Sequence, residues 1–385
     1  MVPVQLPLDH LKELWPQKFR GARIGALLHP ASVSSKLEHS SRILERHNGD
    51  LFRLAAFFGP QHGFLGQTQD NMVEWKSYEH PRFHIPVYSL YGEQREPTAE
   101  MLKNLDVLLV DLQDIGARYY TFIWTMYLCM RACEKEGVAV VVLDRPNPIN
   151  GVTTEGPVLD SNYRSFVGMH PIPVRHGKTI GELAQQFRDE AFPECRLSIL
   201  PMENWKRAMW FDETGLPWVM PSPNMPTLDT ATVYPGLCLL EGTNISEGRG
   251  TTRPFEIFGA PFINAELVCR ELRRFTQLIA KHFTRFKQAL KSSALSENCI
   301  RTHSGGGNRP TNTKQRSCRS NSCWADCRAG SSASLELLAA SEKAFHFIVI
   351  ADEFENECVR GVLKDKSLLK SQSDLEILIA EFPQT

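Results

Sequence analysis

No apolar run in this chain approaches the roughly 20 residues that a membrane-spanning helix requires, so a bilayer anchor of that kind is not expected. The opening MVPVQLPLDHLKELW lacks a basic stretch followed by an apolar one. A cleaved leader is therefore not expected, and the reading is a cytoplasmic protein. Charge of one sign is lacking too: 43 Lys and Arg face 44 Asp and Glu, for a net charge of -1. No global field draws in nucleic acid or an anionic membrane. There is no phosphate-cradling P-loop and no GxGxxG after the first strand, which speaks against a nucleotide cofactor. HExxH and GxSxG are absent, which removes the commonest zinc peptidase and serine hydrolase signals. Among ten cysteines there is no CxxC pair. Cys129, Cys133, Cys238 and Cys269 sit in apolar stretches where a thiol behaves as a small hydrophobe, and Cys318, Cys323 and Cys327 lack zinc-ligand spacing. No metal and no cofactor are expected.

What is present is ordinary globular material, 385 residues with 42% hydrophobic and 23% charged, long enough for two domains. Short apolar runs at Ile24–Leu28, Leu51–Phe58, Val87–Tyr91, Leu105–Leu112, Val138–Leu143 and Arg196–Met202 read as buried strands. Between them lie helix-like stretches at Ser35–His47, Pro97–Lys103, Thr121–Glu136 closed by Gly137, and Thr179–Ala191. Thr179 followed by Glu182 forms a capping box. Strands alternating with helices imply an α/β fold with a doubly wound, mostly parallel, Rossmann-like sheet. Gly156–Gly177 and the Trp- and Pro-rich Trp205–Thr227 read as ordered loops, and Ala265–Phe283 as a helix. From Lys287 to Ser334 polar residues dominate and little could fill a core. Periodic sequence returns at Leu335–Ala340 and near Phe345–Ile350. The expected division is a domain over 1–260 and a smaller α+β C-terminal domain over 261–385, with 287–334 disordered or aberrant.

Polar residues gather where the strands end, and ligands of open α/β sheets sit outside the carboxyl ends of strands. After the Leu105 run come Asp111, Gln113, Asp114, Arg118 and Tyr119; after the Val138 run, Asp144, Arg145 and Asn147; after the Leu51 run, Gln61 and His62; and after Leu237–Leu240, Glu241 and Asn244. Paired carboxylates with arginine and aromatic neighbours are what glycoside cleavage uses, one acid kept protonated by burial and the other ionised. The alternatives stay open: Asp111 and Asp114 as helix caps with Arg118 as surface partner, and Glu241 as a carboxylate bonded to amides of the following turn. The glycosidase reading requires these groups to converge on one hollow at one rim of the sheet.

The blocks FGPQHGFLG (58–66), DVLLVDLQDIGARYYTF (106–122), VVLDRPNPING (141–151), SFVGMHPIPVRHGKTIGELA (165–184), GLPWVMPSPNMPTL (215–228) and YPGLCLLEGTNISEGRGTTRPFEIFGAP (234–261) resemble the exo-β-N-acetylmuramidase (NamZ-like) family. The resemblance implies hydrolysis of terminal β-N-acetylmuramic acid from the non-reducing end of peptidoglycan fragments, with a peptidoglycan-derived saccharide as the partner. The catalytic candidates are Gln61, in the block where the resemblance implies a catalytic group, with His62 beside it, and Glu241 and Asp111 from the strand-end residues. Arg118, Tyr119, Asp144, Arg145, Asn147, His176, Asn224, Asn244 and Arg249 are the substrate-binding candidates, an arginine being the expected partner of the sugar's lactyl carboxylate. Family members commonly carry glutamate where this chain has Gln61, and an amide neither gives nor takes a catalytic proton at neutral pH. Two readings follow: a glycosidase using another carboxylate (Glu241, Asp111 or Glu74), or a sugar binder that has lost its acid.

Overall fold

The computed structural model of the chain describes residues 2–66, 74–260 and 262–265. Seven of its strands build one sheet: β1 (Arg23–Leu28), β2 (Arg53–Gly59), β3 (Tyr78–Glu79), β4 (Pro86–Ser89), β5 (Val107–Asp111), β6 (Ala139–Leu143) and, after the short β7 (Glu155–Val158) and β8 (Pro173–Arg175), β9 (Leu197–Leu200). Their order is β3-β4-β2-β1-β5-β6-β9, and every neighbouring pair is parallel except β3 against β4. The α/β, doubly wound architecture expected from the alternating pattern is what the chain forms. Chain order runs outward from β1 through β2 to β4, then restarts beside β1 at β5 and runs the other way. The crevice between β1 and β5 is the switch point where such sheets place ligands.

Every residue of β5 and β6 is buried, and so is β1 after Arg23. Apolar runs without alternation produce this result, because helices cover both faces of a parallel sheet. Each Val or Leu so buried contributes about 1.5–3 kcal/mol. The main helices are α1 (Leu11–Leu14), α2 (Ser40–His47), α3 (Ala99–Leu102), α4 (Phe122–Glu136), α5 (Ile180–Glu190) and α6 (Leu228–Leu237). α4 ends at Gly137, whose φ of 67° is the left-handed value that glycine supplies without penalty. α4 and α5 pack through rings, Trp124 on Phe187 at 5.7 Å and Tyr127 on Phe187 at 5.1 Å. The capping box on α5 is formed as expected, Thr179 accepting from the Glu182 amide.

Two local expectations are corrected. The helix expected from Ser35 begins only at Ser40: the Ser34 hydroxyl accepts from the Lys36 and Glu38 amides and holds a turn, and His39 caps α2 by accepting from the Ser41 amide. The Gly156–Gly177 segment is not all loop, since it carries part of β7, a 3-10 turn at Ser161–Tyr163, and β8. α6 forms despite Pro235 within it.

The described residues divide into two compact units, one within 2–154 and 159–231, the other within 155–158 and 232–265. The expected boundary at residue 260 lies inside the second unit. The helix expected at Ala265–Phe283, the polar stretch 287–334, the runs beyond it, and Cys269, Cys318, Cys323 and Cys327 lie outside the described residues, apart from Ala265 itself. Cys129, Cys133, Cys195 and Cys238 are buried free thiols. Among the described residues no helix is long and apolar enough to cross a membrane, and no group of three or more His, Cys, Asp or Glu side chains could hold a metal ion.

Candidate functional site

In the first unit the carboxyl ends of β1, β5 and β6 bring together residues far apart in sequence. β1 releases His29, a fully buried imidazole whose Nε2 accepts from the Gln113 amide at 2.9 Å. Its Nδ1 therefore carries the hydrogen, facing the Pro221 carbonyl at 3.3 Å. Burial, and then the charge of Arg145, push its pKa well below the usual histidine value, so the ring is neutral. It is a wedge between β1 and β5, not a proton shuttle.

Asp111, the last residue of β5, is fully buried. Arg145, two residues past β6, grips it bidentately, Nε to Oδ1 at 2.5 Å and Nη2 to Oδ2 at 3.0 Å, and Nη2 also donates to the Val33 carbonyl at 2.9 Å. Ser40, the first residue of α2, donates its hydroxyl to the same carboxylate. This carboxylate and guanidinium tie β1, β5, β6 and α2 into one corner. Asp144 has a different task. It accepts from the Gly181 amide at 2.8 Å, the Thr179 hydroxyl at 3.1 Å and the Arg145 amide at 3.0 Å, which seats it on the N-terminus of α5. Burial pushes its pKa up to about 6 although all three donors favour the ionised form.

The Gln113 amide hydrogens go to the carbonyls of Asp114 (2.7 Å) and Pro146 (3.0 Å). Asp114 Oδ2 accepts from the Gly116 amide at 2.7 Å and from His176 Nε2 at 3.0 Å, while His176 Nδ1 accepts from the Lys178 amide at 3.2 Å. His176 is thereby fixed as the Nε2–H tautomer. Gly116 has a φ of +86°, and a Cβ there would stand 2.5 Å from Asn147 Oδ1 and 2.6 Å from Ile149 Cγ1. Only glycine lets β5's exit loop lie against β6's. Asn147 spans to the Lys178 carbonyl at 3.0 Å, and Arg118 donates to the Ile172 carbonyl at 2.7 Å while covering the Tyr119 ring at 5.2 Å.

At the end of β2, Gln61 precedes the buried His62, whose φ is +69°. Gln61 Oε1 accepts from the Thr121 hydroxyl at 2.7 Å. Thr121 occupies the N-cap of α4 yet makes no side-chain cap bond there, its hydroxyl being turned to residue 61 instead. Residue 61 is thus held beside the positive end of a 15-residue helix.

At this edge lies a small, water-sized surface hollow. Gln113 and Arg145 supply its polar lining, and Ala31, Val33, Leu216 and Val219 part of its apolar wall. Asp111 and Asp144 stand at the same sheet edge but do not line it. In the Trp- and Pro-rich loop, Arg175 lies over Trp210 at 5.5 Å, and Trp218 packs edge-on against Phe211 at 5.0 Å. Asn224 is half-buried and Glu74 exposed.

In the second unit, Glu241 Oε1 accepts from Arg249 Nη2 at 2.6 Å, and Arg249 Nε reaches Glu247 at 2.7 Å. Arg249 lies over the Phe255 ring at 5.0 Å, which in turn meets Tyr234 edge-on at 4.8 Å. Burial raises the Glu241 pKa, and the Arg249 charge and hydrogen bond oppose the rise. Asn244 is exposed. Sequence reasoning missed Ser40, Thr121 and Thr179 as partners of site residues. No spacing signal could have supplied Ser40 or Thr121, which lie 71 and 60 residues from the groups they hold.

Residues 24–229 match the family model described as exo-β-N-acetylmuramidase NamZ, N-terminal, and residues 232–301 the corresponding C-terminal model. The peptidoglycan β-N-acetylmuramidase NamZ of Bacillus subtilis (strain 168) is 50% identical over 262 residues, which are 68% of this chain and 63% of that protein. The match thus spans less than two thirds of that relative's length. Among solved structures, a DUF1343 family protein of Bacteroides fragilis NCTC 9343 is 37% identical with a TM-score of 0.64, over 71% of this chain and 70% of its own. A second DUF1343 family protein of the same organism is 26% identical with a TM-score of 0.60, over 98% and 96%.

Proposed function

We propose, from the premise that this chain belongs to the exo-β-N-acetylmuramidase NamZ family, that it is a glycoside hydrolase which removes terminal β-N-acetylmuramic acid from the non-reducing end of peptidoglycan fragments. The observation that carries the proposal is the 50% identity to the Bacillus subtilis muramidase over 262 residues, beside family models that span the sheet edge (24–229) and the Glu241 segment (232–301).

Among the carboxylates, Glu241 is the acid we assign. Its pKa is raised by burial, which a proton donor working near neutral pH needs, and Arg249 holds its orientation. Asp111 is a brace in this reading, because both its oxygens are occupied by Arg145 and Ser40. Gln61 sits where a carboxylate would be ionised, between the Thr121 hydroxyl and the start of α4. The present amide can orient a sugar or a water there but cannot take its proton.

The test is release of chromophore from a para-nitrophenyl β-N-acetylmuramide by the full chain, with Glu241→Gln and Gln61→Glu in parallel. Glu241→Gln is expected to abolish turnover, and Gln61→Glu to raise it by about 10²-fold or more, the usual worth of a positioned acid or base. Full activity in Glu241→Gln sinks the assignment of the acid. One observation favours a second reading, a muropeptide-binding homologue without turnover: the residue-61 side chain is an amide already satisfied by Thr121. Calorimetry showing saccharide binding with no chromophore release selects that reading.

A further inference from the structure

Arg249 carries one positive charge and faces two carboxylates. Its Nη2 donates to Glu241 Oε1 at 2.6 Å, and its Nε stands 2.7 Å from Glu247 Oε1. Both contacts lie along one edge of the guanidinium. The side chains of Glu241 and Glu247 are only 21% and 13% exposed, so water screens the three charges weakly. The loop that carries Glu247 is closed by its own main chain: Ser246 and Gly259 exchange both amides at 2.9 Å, and the Phe255 amide donates to the Glu247 carbonyl at 2.6 Å. Gly248 has a φ of +85°, and a Cβ there would collide with the Ile257 carbonyl. Phe255 is fully buried with a φ of +61°, a left-handed backbone that an aromatic residue adopts only at a cost. That conformation seats its ring against Arg249 at 5.0 Å, with Tyr234 edge-on to the ring at 4.8 Å. The guanidinium is thereby fixed between the two carboxylates.

An arginine that faced Glu241 alone would work against the acid assigned above, because an adjacent positive charge favours the ionised carboxylate. We propose that Glu247 is a positioning residue for the reaction: as the permanent anion on Arg249 it answers the guanidinium charge and lets Glu241 keep its proton, while the hydrogen bond from Nη2 still orients the acid. With Glu247 ionised and Glu241 protonated the three groups are neutral together; with both ionised they carry a net negative charge in a largely shielded place. Burial and the charge of Glu247 favour protonated Glu241, and Arg249 opposes them. Of the other titratable groups nearby, Tyr234 acts on Arg249, and Arg253 pairs with Glu256 at 2.8 Å. The inference rests on the glycosidase reading with Glu241 as the acid, to which it adds the residue that holds that acid in its working state.

Glu247→Gln keeps the size of the side chain and an oxygen for Arg249 Nε but removes the charge. Glu247→Ala removes both, and Glu247→Asp keeps the charge. Two measurements on the full chain follow Glu241 in these variants. One is the alkaline limb of kcat/KM for a para-nitrophenyl β-N-acetylmuramide, which reports the essential acid of the free enzyme. The other is the carbon-13 carboxyl titration of glutamate-labelled protein, in which the Glu241 resonance is the one lost in Glu241→Gln. In both neutral variants the limb and the titration midpoint are expected about one pH unit lower, so that kcat/KM above the limb falls about tenfold while the acid plateau stays within about twofold. Glu247→Asp is expected to return the limb toward its wild-type position. A residue that merely supported the loop would lower the rate at every pH and leave both midpoints in place, and that result overturns the inference. So does loss of turnover at every pH in Glu247→Gln while Glu241→Gln stays active, since Glu247 would then itself be the reacting group. A chain that hydrolyses no muramide yet shows the lowered Glu241 midpoint removes the glycosidase reading alone. Hydrolysis with a limb and a midpoint unmoved by either neutral variant removes the role of Glu247 alone.

Discussion

Replacing Asp111 by alanine should be among the most damaging single changes outside the packed hydrophobic residues. The wild-type side chain has no exposure, and it neutralises Arg145, itself 5% exposed at the side chain. Removing one partner leaves a guanidinium buried without its counter-charge and the Ser40 hydroxyl without its acceptor. Breaking a buried pair in this way costs about 3–5 kcal/mol. For a unit of this size each kcal/mol lowers the melting temperature by about 2–4 °C, so a fall of about 6–20 °C is expected. Differential scanning calorimetry of the full chain measures it, and Asp111→Leu, Arg145→Met and the double variant combining those two complete a thermodynamic cycle. The double variant should recover much of the loss, because exchanging a buried pair for apolar groups of similar size is often neutral or stabilising. A drop of less than about 2 °C in Asp111→Ala, or strictly additive losses in the cycle, would refute the claim that this pair braces the corner of the sheet.

Asp144 gives a pH dependence of defined sign. Its pKa is about 6 in the fold against 3.8 as the reference value, so between those values the folded chain holds more protons than the unfolded one. Stability then falls as pH rises from about 4 to about 6, by at most about 3 kcal/mol for this group, and urea titrations of wild type and Asp144→Asn should show the slope only in the former. Thr179→Ala removes the cap of α5 and one donor to Asp144, and should cost about 1 kcal/mol in the same titrations. Gly116→Ala should cost more than Thr179→Ala, because it forces both a left-handed backbone and a 2.5 Å approach to Asn147 Oδ1; an equal or smaller loss of melting temperature would contradict the close-approach argument.

How much of this was legible in the chain differs by element. β1, β2, β5 and β6 were readable because burial on both faces leaves an unbroken apolar run, and Gly137 and the Thr179–Glu182 box marked helix ends through local chemistry alone. β7 and β8 were not, since they are four and three residues long and lie in proline- and glycine-rich sequence. α6 was hidden by Pro235, whose usual effect on a helix is outweighed here. At the site, composition at strand ends correctly pointed to Asp111, Asp144, Arg145 and Asn147 as one edge. What it could not supply was the state of each group. That Asp111 is bound to Arg145, 34 residues on, and Asp144 to the start of α5, follows only from strand order, which places β5 and β6 side by side.

The two outermost strands of the sheet, β3 and β9, are two and four residues long. A rim that short offers a passing chain only a few main-chain donors and acceptors, and β3 runs against the direction of its neighbour, so a parallel strand cannot simply extend the pattern. Accretion of further copies by strand addition is thereby discouraged at both of these strands.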